Sequence, residues 1–218
     1  MRGQDRHRVV AIDGPAASGK SSVARELAHR LGFVYVNSGV MYRAVTWHVL
    51  QHHISAGDAA RVAQLVEATP ITCGLENNEA RILIGDIDPS AYLRDDNVNQ
   101  SVSLVSSVPR VREIIVEKLR NYACNHDLVM EGRDIGSVVF PDTPYKFYID
   151  ASPAVRLLRR AAQGQRDQIA TRDHADSSRH ASPLLIAQDA DVIDTSNLTI
   201  QGVVAEIISR LRKKGLQI

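Results

Sequence analysis

The sequence predicts an α/β fold: a central parallel sheet with helices on both faces. Three observations predict it. Short β-rich runs alternate along the chain with apolar residues at helical spacing. The first run, Val9-Val10-Ala11-Ile12, is continuously apolar, as a strand covered on both faces must be. The 218 residues are 44% hydrophobic and 23% charged, enough for one such domain with a small insert.

The elements follow in order. Asp13-Gly14-Pro15 ends the first strand. From Ser21, the residues Val23, Ala24, Leu27, Ala28 and Leu31 recur at helical spacing, and Gly32 supplies the stop. Phe33 to Val36 reads as a second strand, and Val40 to about His52 as a helix. A helical stretch carrying Val62, Leu65 and Val66 ends at Pro70. Ile71 to Leu75 and Ala80 to Ile87 read as two strands joined by the polar turn Glu76-Asn77-Asn78-Glu79, an antiparallel excursion over roughly 70–92. A helix near 110–124 puts Val111, Ile114, Ile115, Leu119 and Tyr122 on one side. Strands follow at Leu128 to Met130 and Tyr145 to Ile149. A helix begins at Pro153, well placed at its first position, and runs to about Ala162. Residues 164–182 are polar and are expected to form a mobile segment. Asp191 to Ile193 is a last short strand, and Ile200 to Arg212 a closing amphipathic helix.

Composition narrows the function. Lys+Arg is 26 and Asp+Glu is 25, a net charge of +1, which a dedicated non-specific nucleic-acid binder would exceed. Cys73 and Cys124 are the only cysteines and form no CxxC pair, so neither a zinc site nor a disulfide framework is expected, and a reducing compartment fits. The scattered histidines, His52-His53 among them, have no metal-like spacing and read as surface residues. Met1 to Arg8 is polar and basic with no apolar run after it, unlike a secretory signal, and no apolar stretch is long enough to span a bilayer. The expectation is a cytoplasmic monomer with neither nucleic acid nor membrane as partner.

One motif carries chemistry. Gly14-Pro15-Ala16-Ala17-Ser18-Gly19-Lys20-Ser21, followed by Ser22, fits G-x-x-x-x-G-K-[ST]. The glycines let the backbone wrap so that successive N–H groups point at phosphate oxygens, and the following helix aims its positive end at the same oxygens. Lys20 is placed for the β- and γ-phosphates of a nucleotide, and the Ser21 hydroxyl for Mg²⁺. Only 5 of the 26 basic residues are lysines, and Lys20 is the only one before Lys118. The motif follows a predicted strand and opens a predicted helix, so the expected fold is the three-layer P-loop NTPase architecture.

A P-loop alone leaves GTPase, motor, kinase and sensor open. No convincing apolar strand ends in Asp-Glu, and no N-K-x-D guanine signature occurs. Arginines decide, because a planar fork grips phosphate oxygens bidentately. Arg43 follows the second strand, and Arg133, in Glu131-Gly132-Arg133-Asp134, follows the strand at Leu128 to Met130. Both lie at the carboxyl ends of strands, where open α/β sheets bind ligands.

Several motifs together resemble a known family. They are Asp13-Gly14-Pro15 before the P-loop, Ser38-Gly39-x-x-Tyr42-Arg43, Pro109-Arg110-Val111-Arg112-Glu113, Gly132-Arg133-Asp134-Ile135-Gly136 through Pro141, and Arg172-Asp173-x-x-Asp176-x-x-Arg179 with a following Ser182-Pro183-Leu184. From about Val10 to Ile208 the chain resembles bacterial cytidylate kinase. The resemblance implies phosphoryl transfer from ATP to CMP, and to dCMP as well, with Mg²⁺ accompanying ATP. It implies that Ser38, Ser103, Arg112 and Asp134 face the cytosine. Arg43, Arg133 and Arg172 would grip the CMP phosphate, with Lys20, Arg133 and Arg172 as the catalytic cations. Asp176 would meet the ribose hydroxyls, and Arg179 the base. It further implies a core of about 8–60, 107–162 and 183–218, an antiparallel CMP-binding insert of about 61–106 and a short lid of about 163–182. Residue chemistry agrees: cytosine needs an acceptor for N4 and donors for N3 and O2, and Asp134 and Arg112 are of those types, whereas Arg110 reads as a solvated neighbour. A kinase for another small acceptor, with Asp13 or Asp134 as base, and a non-catalytic nucleotide sensor remain open on sequence.

Overall fold

In the computed structural model, which describes residues 7–162 and 184–217, strand β1 (Val9–Asp13) is buried along its whole length. Parallel strands β5 (Leu128–Gly132) and β6 (Tyr145–Asp150) flank it. Strand β2 (Val34–Asn37) lies parallel outside β5, and β7 (Asp191–Asp194) parallel outside β6. The antiparallel hairpin of β3 (Ile71–Glu76) and β4 (Glu79–Ile84) completes one edge. Among the described residues the order is β3-β4-β2-β5-β1-β6-β7. The chain reaches β2 before β5, yet β5 sits between β2 and β1. The carboxyl ends of these three strands therefore stand side by side and open a crevice.

The continuous apolar runs are explained by alternation into two cores. Val9, Ala11, Val34, Val36, Leu128 and Met130 point to one face. There they meet α2 (Ser38–Gln51), α3 (Ala59–Ala68), α4 (Asp96–Val105) and α5 (Pro109–Tyr122). Val10, Ile12, Tyr35, Val129, Phe147 and Ile149 point to the other, against α1 (Lys20–Leu31) and α7 (Ile200–Lys213). Strands β1, β2 and β5 thus spend their period of two on two hydrophobic layers, while β6 contributes only to the second. The remaining helix, α6 (Pro153–Ala162), follows β6.

Local chemistry sets the boundaries. Gly32 ends α1 in the left-handed region (φ 67°), as expected. Helix α2 starts at Ser38, two residues before the predicted start, because the Asn37 side chain accepts the Val40 N–H at 3.2 Å. Asn77 and Asn78 turn the hairpin, both with positive φ, which asparagine tolerates best among residues with a side chain. The second hairpin strand was expected to reach Ile87 and stops at Ile84: Gly85 (φ 61°) reverses the chain, and Ile84 and Ile87 bond to each other. The hairpin also extends the main sheet, through the pair Tyr35↔Glu79. Helix α4 lies between the two predicted segments at 92 and 110, inside the expected insert and carrying Ser103, where the sequence predicts no helix. Its buried residues are Val98, Val102 and Val105, in an otherwise polar stretch. The predicted lid, with Arg172, Asp176 and Arg179, lies outside the described residues.

Candidate active site

The P-loop joins β1 to α1 and is shaped from below. A Cβ on Gly14 would stand 2.1 Å from the Ile149 carbonyl oxygen of β6, so only glycine lets the loop lie this close to the sheet. The loop's carbonyls are taken by surrounding side chains. Arg133 donates to the Gly14 carbonyl at 2.9 Å, Lys20 to Pro15 at 3.0 Å and Arg156 to Ala16 at 3.2 Å. The Ser18 carbonyl accepts from Thr195 Oγ1 at 2.8 Å and Arg159 at 3.0 Å. Glycine at the N-cap gives α1 no side-chain cap, and a glycine-rich loop leading into a helix N-terminus is a backbone shape that binds anions.

A cavity of about 560 Å³ runs from this loop into the crevice between β2 and β5. Of the predicted site residues, Ala16, Ala17, Gly19, Lys20, Ser21 and Ser22 line its P-loop end. Ser38, Arg43, Ser103, Arg112, Arg133 and Asp134 line the rest. Gly14, Pro15 and Ser18 do not line it; they shape the loop from behind. Two arginines sequence reasoning had not singled out, Arg159 and Arg160 of α6, line the P-loop side, with Thr195 beyond them.

The far end is built around a buried ion pair. Arg112, 5% exposed, donates to the Asp134 carboxylate, which is 3% exposed. Arg112 also donates to the Ser106 carbonyl at 3.1 Å, and its guanidinium lies 5.4 Å from the Tyr42 ring centroid. The sequence offered the two as separate base-facing groups; the fold couples them. Arg110, by contrast, is exposed and pairs with Glu67 and Glu113, as expected of a solvated neighbour. Between the two ends, Arg43 donates to Asn99 Oδ1 at 2.7 Å. Asn99 belongs to α4, a helix the sequence did not predict, four residues before Ser103.

Glu131 is the residue sequence reasoning missed. Its carboxylate, on a side chain 2% exposed, accepts Ser21 Oγ–H at 2.8 Å, Asn37 Nδ2–H at 2.7 Å and the Tyr35 hydroxyl at 2.5 Å. It is the penultimate residue of β5, beside the P-loop serine. The signal lay in Leu128-Val129-Met130-Glu131, an apolar strand ending in a single acid; looking for an Asp-Glu pair passed over it. A hydroxyl and a carboxylate 2.8 Å apart at the end of a phosphate-binding loop are hard oxygen donors of the kind Mg²⁺ takes, so the donor set fits that ion.

Asp13 links loop to loop. Its carboxylate accepts the N–H groups of Ile135 at 2.8 Å and Gly136 at 2.7 Å. Burial pushes its pKa up to about 6; the two backbone N–H groups and Lys20 pull against the rise, and the Asp134 charge adds to it. A Cβ on Gly132 would stand 2.5 Å from Ser38 Oγ and 2.7 Å from Ile135 Cδ1, so a larger residue there would displace both side chains. His52 and His53 lie at the surface as expected. His48 does not: it is half-buried against Thr69 Oγ1 at 2.9 Å. Cys73 and Cys124 are both free thiols. Among the described residues no helix is long and apolar enough to cross a membrane.

Comparison with known proteins places this site in context. The sequence pattern of the family described as cytidylate kinase matches residues 10–213. The cytidylate kinase of Lactobacillus gasseri is 40% identical over 216 residues, 94% of this chain and 94% of its own. That of Caldanaerobacter subterraneus is 40% identical over 94% of each chain. That of Rhodococcus opacus is 41% identical over 92% of this chain and 93% of its own.

Proposed function

The chain belongs to the cytidylate kinase family, and from that premise we propose that it transfers the γ-phosphoryl group of ATP to the phosphate of CMP or dCMP. The observation that carries the reading is one cavity with a P-loop at one end and the buried Arg112–Asp134 pair at the other, with Arg43 and Arg133 between them. A phosphate-binding loop at one end accounts for a donor. A paired guanidinium and carboxylate at the other can meet the N3/O2 acceptors and the N4 donor of cytosine. The arginines between them suit the monophosphate.

The chemistry needs no general base. A CMP phosphate oxygen, already anionic at neutral pH, attacks the γ-phosphorus, the new P–O bond forms, and the bond to the β-phosphate oxygen breaks to release ADP. Lys20 and Arg133 offset the charge of two phosphate chains brought together, and the cavity walls hold them in line. Arg172, Asp176 and Arg179 would act on the acceptor from outside the described residues. Ser21 and Glu131 would hold Mg²⁺, which supplies charge neutralisation on the ATP phosphates when bound. The segment of about 61–106 serves as the acceptor-binding unit in this reading, since it supplies Asn99 to Arg43 and Ser103 to the cavity wall.

A coupled assay of ADP formation over CMP, dCMP, UMP and AMP tests the proposal. The expected order puts CMP and dCMP far ahead of UMP and AMP. Turnover with a small hydroxylated acceptor but not with CMP would overturn it in favour of another P-loop kinase. ATP binding with no turnover on any acceptor would favour a sensor.

A further inference from the structure

The Glu131 carboxylate is oriented from two sides. On one, its Oε2 accepts the Ser21 hydroxyl at 2.8 Å. On the other, its Oε1 accepts from two residues of β2, Asn37 and Tyr35. Asn37 has a second duty as the cap of α2. Tyr35 has a different set of neighbours. It points to the α1 face of the sheet, where its ring lies under the Arg25 guanidinium, 4.8 Å from carbon to ring centroid. Arg25 stands one helical turn after Ser21 on α1, so the same helix reaches Glu131 twice: directly through Ser21, and through the Tyr35 ring.

Arg25 also reaches outward. Its Nε donates to Glu79 Oε1 at 2.7 Å and its Nη2 to Glu79 Oε2 at 3.2 Å. Glu79 is the first residue of β4 and the register partner of Tyr35, where the hairpin joins the main sheet. The seam between hairpin and sheet therefore coincides with an unbroken run of contacts: Glu79, Arg25, Tyr35, Glu131, Ser21.

We propose that Tyr35 is a positioning residue that fixes the plane of the Glu131 carboxylate for the metal–ATP complex, and that the Arg25–Glu79 pair is the strap that seats Tyr35. The proposal rests on the functional reading above for ATP and its metal, but not for the acceptor. The terminal torsion of a glutamate is soft, so a lone bond to Ser21 would leave the carboxylate free to turn. Two donors on Oε1 remove that freedom and leave Oε2 facing the P-loop. Tyr35 serves this purpose as a donor, its hydroxyl lying 2.5 Å from Oε1. The strap adds little to the stability of the fold, because the Arg25 and Glu79 side chains are 58% and 39% exposed. What it sets is orientation.

Tyr35→Phe keeps the ring, its packing and the stacking under Arg25, and removes only the hydroxyl. In the full chain, ATP binding is measured by calorimetry with Mg²⁺ and again with EDTA. The tightening that Mg²⁺ gives the wild type should fall about 10-fold in the variant, while binding in EDTA changes by less than about twofold. In turnover, the Mg²⁺ concentration for half-maximal rate should rise by a similar factor, with the KM for CMP unmoved. Arg25→Met and Glu79→Gln should move both readouts the same way by about 3-fold. An unchanged Mg²⁺-dependent gain in Tyr35→Phe overturns the proposal, and so does an equal loss with and without Mg²⁺, which would mark Tyr35 as merely structural. Should the wild type not phosphorylate CMP while Tyr35→Phe still loses its Mg²⁺ gain, the acceptor assignment falls and the role of Tyr35 stands.

Discussion

The backbone N–H of Gly136 donates to the Asp13 carboxylate at 2.7 Å, and this bond fastens the loop carrying Arg133 and Asp134 to the base of the P-loop. Donor and acceptor ends of the cavity thus share one buried acid. That arrangement has a pH signature. The folded pKa of Asp13 is raised to about 6. The native state therefore holds a proton that the unfolded chain releases near pH 4, and stability present at low pH is lost as pH rises through about 6. From pH 4.5 to pH 7 the loss should be about 2 kcal/mol. Asp13→Asn removes the titration. Chemical denaturation of both proteins at the two pH values should show the wild type losing about that much relative to the variant. A difference that does not change with pH would disprove the assignment.

Lys20 reaches the Pro15 carbonyl at 3.0 Å, within the loop that is to hold phosphate. Lys20→Ala takes away a cation aimed at the transferring group, so kcat should fall by at least about 10²-fold. The fold should survive, since the loop's other carbonyls keep Arg133, Arg156, Arg159 and Thr195. Near-normal turnover with intact folding would contradict the P-loop role.

The coupling of Arg112 to Asp134 alters what their mutation should do. Removing either partner takes from the other its buried counter-charge, at a cost of about 3–5 kcal/mol of stability. Arg112→Ala and Asp134→Ala should each melt well below the wild type. The milder Asp134→Asn keeps a polar neighbour for Arg112 and suits the specificity test. Its kcat/KM for CMP over UMP should fall by roughly one to two orders of magnitude, since a buried polar group left unpaired costs about 1–3 kcal/mol. An unchanged ratio in a stable Asp134→Asn protein would show that this carboxylate does not read the base.

Much of this was legible in the sequence, for identifiable reasons. Strands β1 and β5 are apolar on both faces because both faces are covered, and such runs stand out, whereas β6 joins one core only, through Phe147 and Ile149. The P-loop is a local backbone shape, so its residues are contiguous. Helix α4 was not legible: one narrow stripe of Val98, Val102 and Val105 gives little contrast against Asp95, Asp96, Asn97, Asn99 and Gln100. Nor could the sequence show that Glu131, Tyr35 and Ser21 meet, because their contact is made by strand order. Residues 35 and 131 become neighbours only when β5 enters between β2 and β1.

Helix α4 carries a consequence for the acceptor end. The Asn99 side chain accepts from Arg43 at 2.7 Å and donates to the Arg94 carbonyl at 2.8 Å, so it holds the arginine from a helix whose own position is fixed by Val98 and Val102. Asn99→Ala leaves Arg43 its contact with the Leu93 carbonyl at 3.5 Å but removes the shorter bond to Asn99. The arginine must then be ordered by the ligand, a cost of about 1 kcal/mol, and the KM for CMP should rise about 5-fold. That cost falls on ground state and transition state alike, so kcat should hardly move. Arg43→Lys is the harsher change, because an ammonium cannot fork onto two phosphate oxygens, and it should raise the KM for CMP by at least about 10-fold. Steady-state kinetics of the two variants with CMP varied at saturating ATP make the check. A fall in kcat with an unmoved KM in Asn99→Ala would mean that Asn99 acts on the chemical step and not on the seating of Arg43.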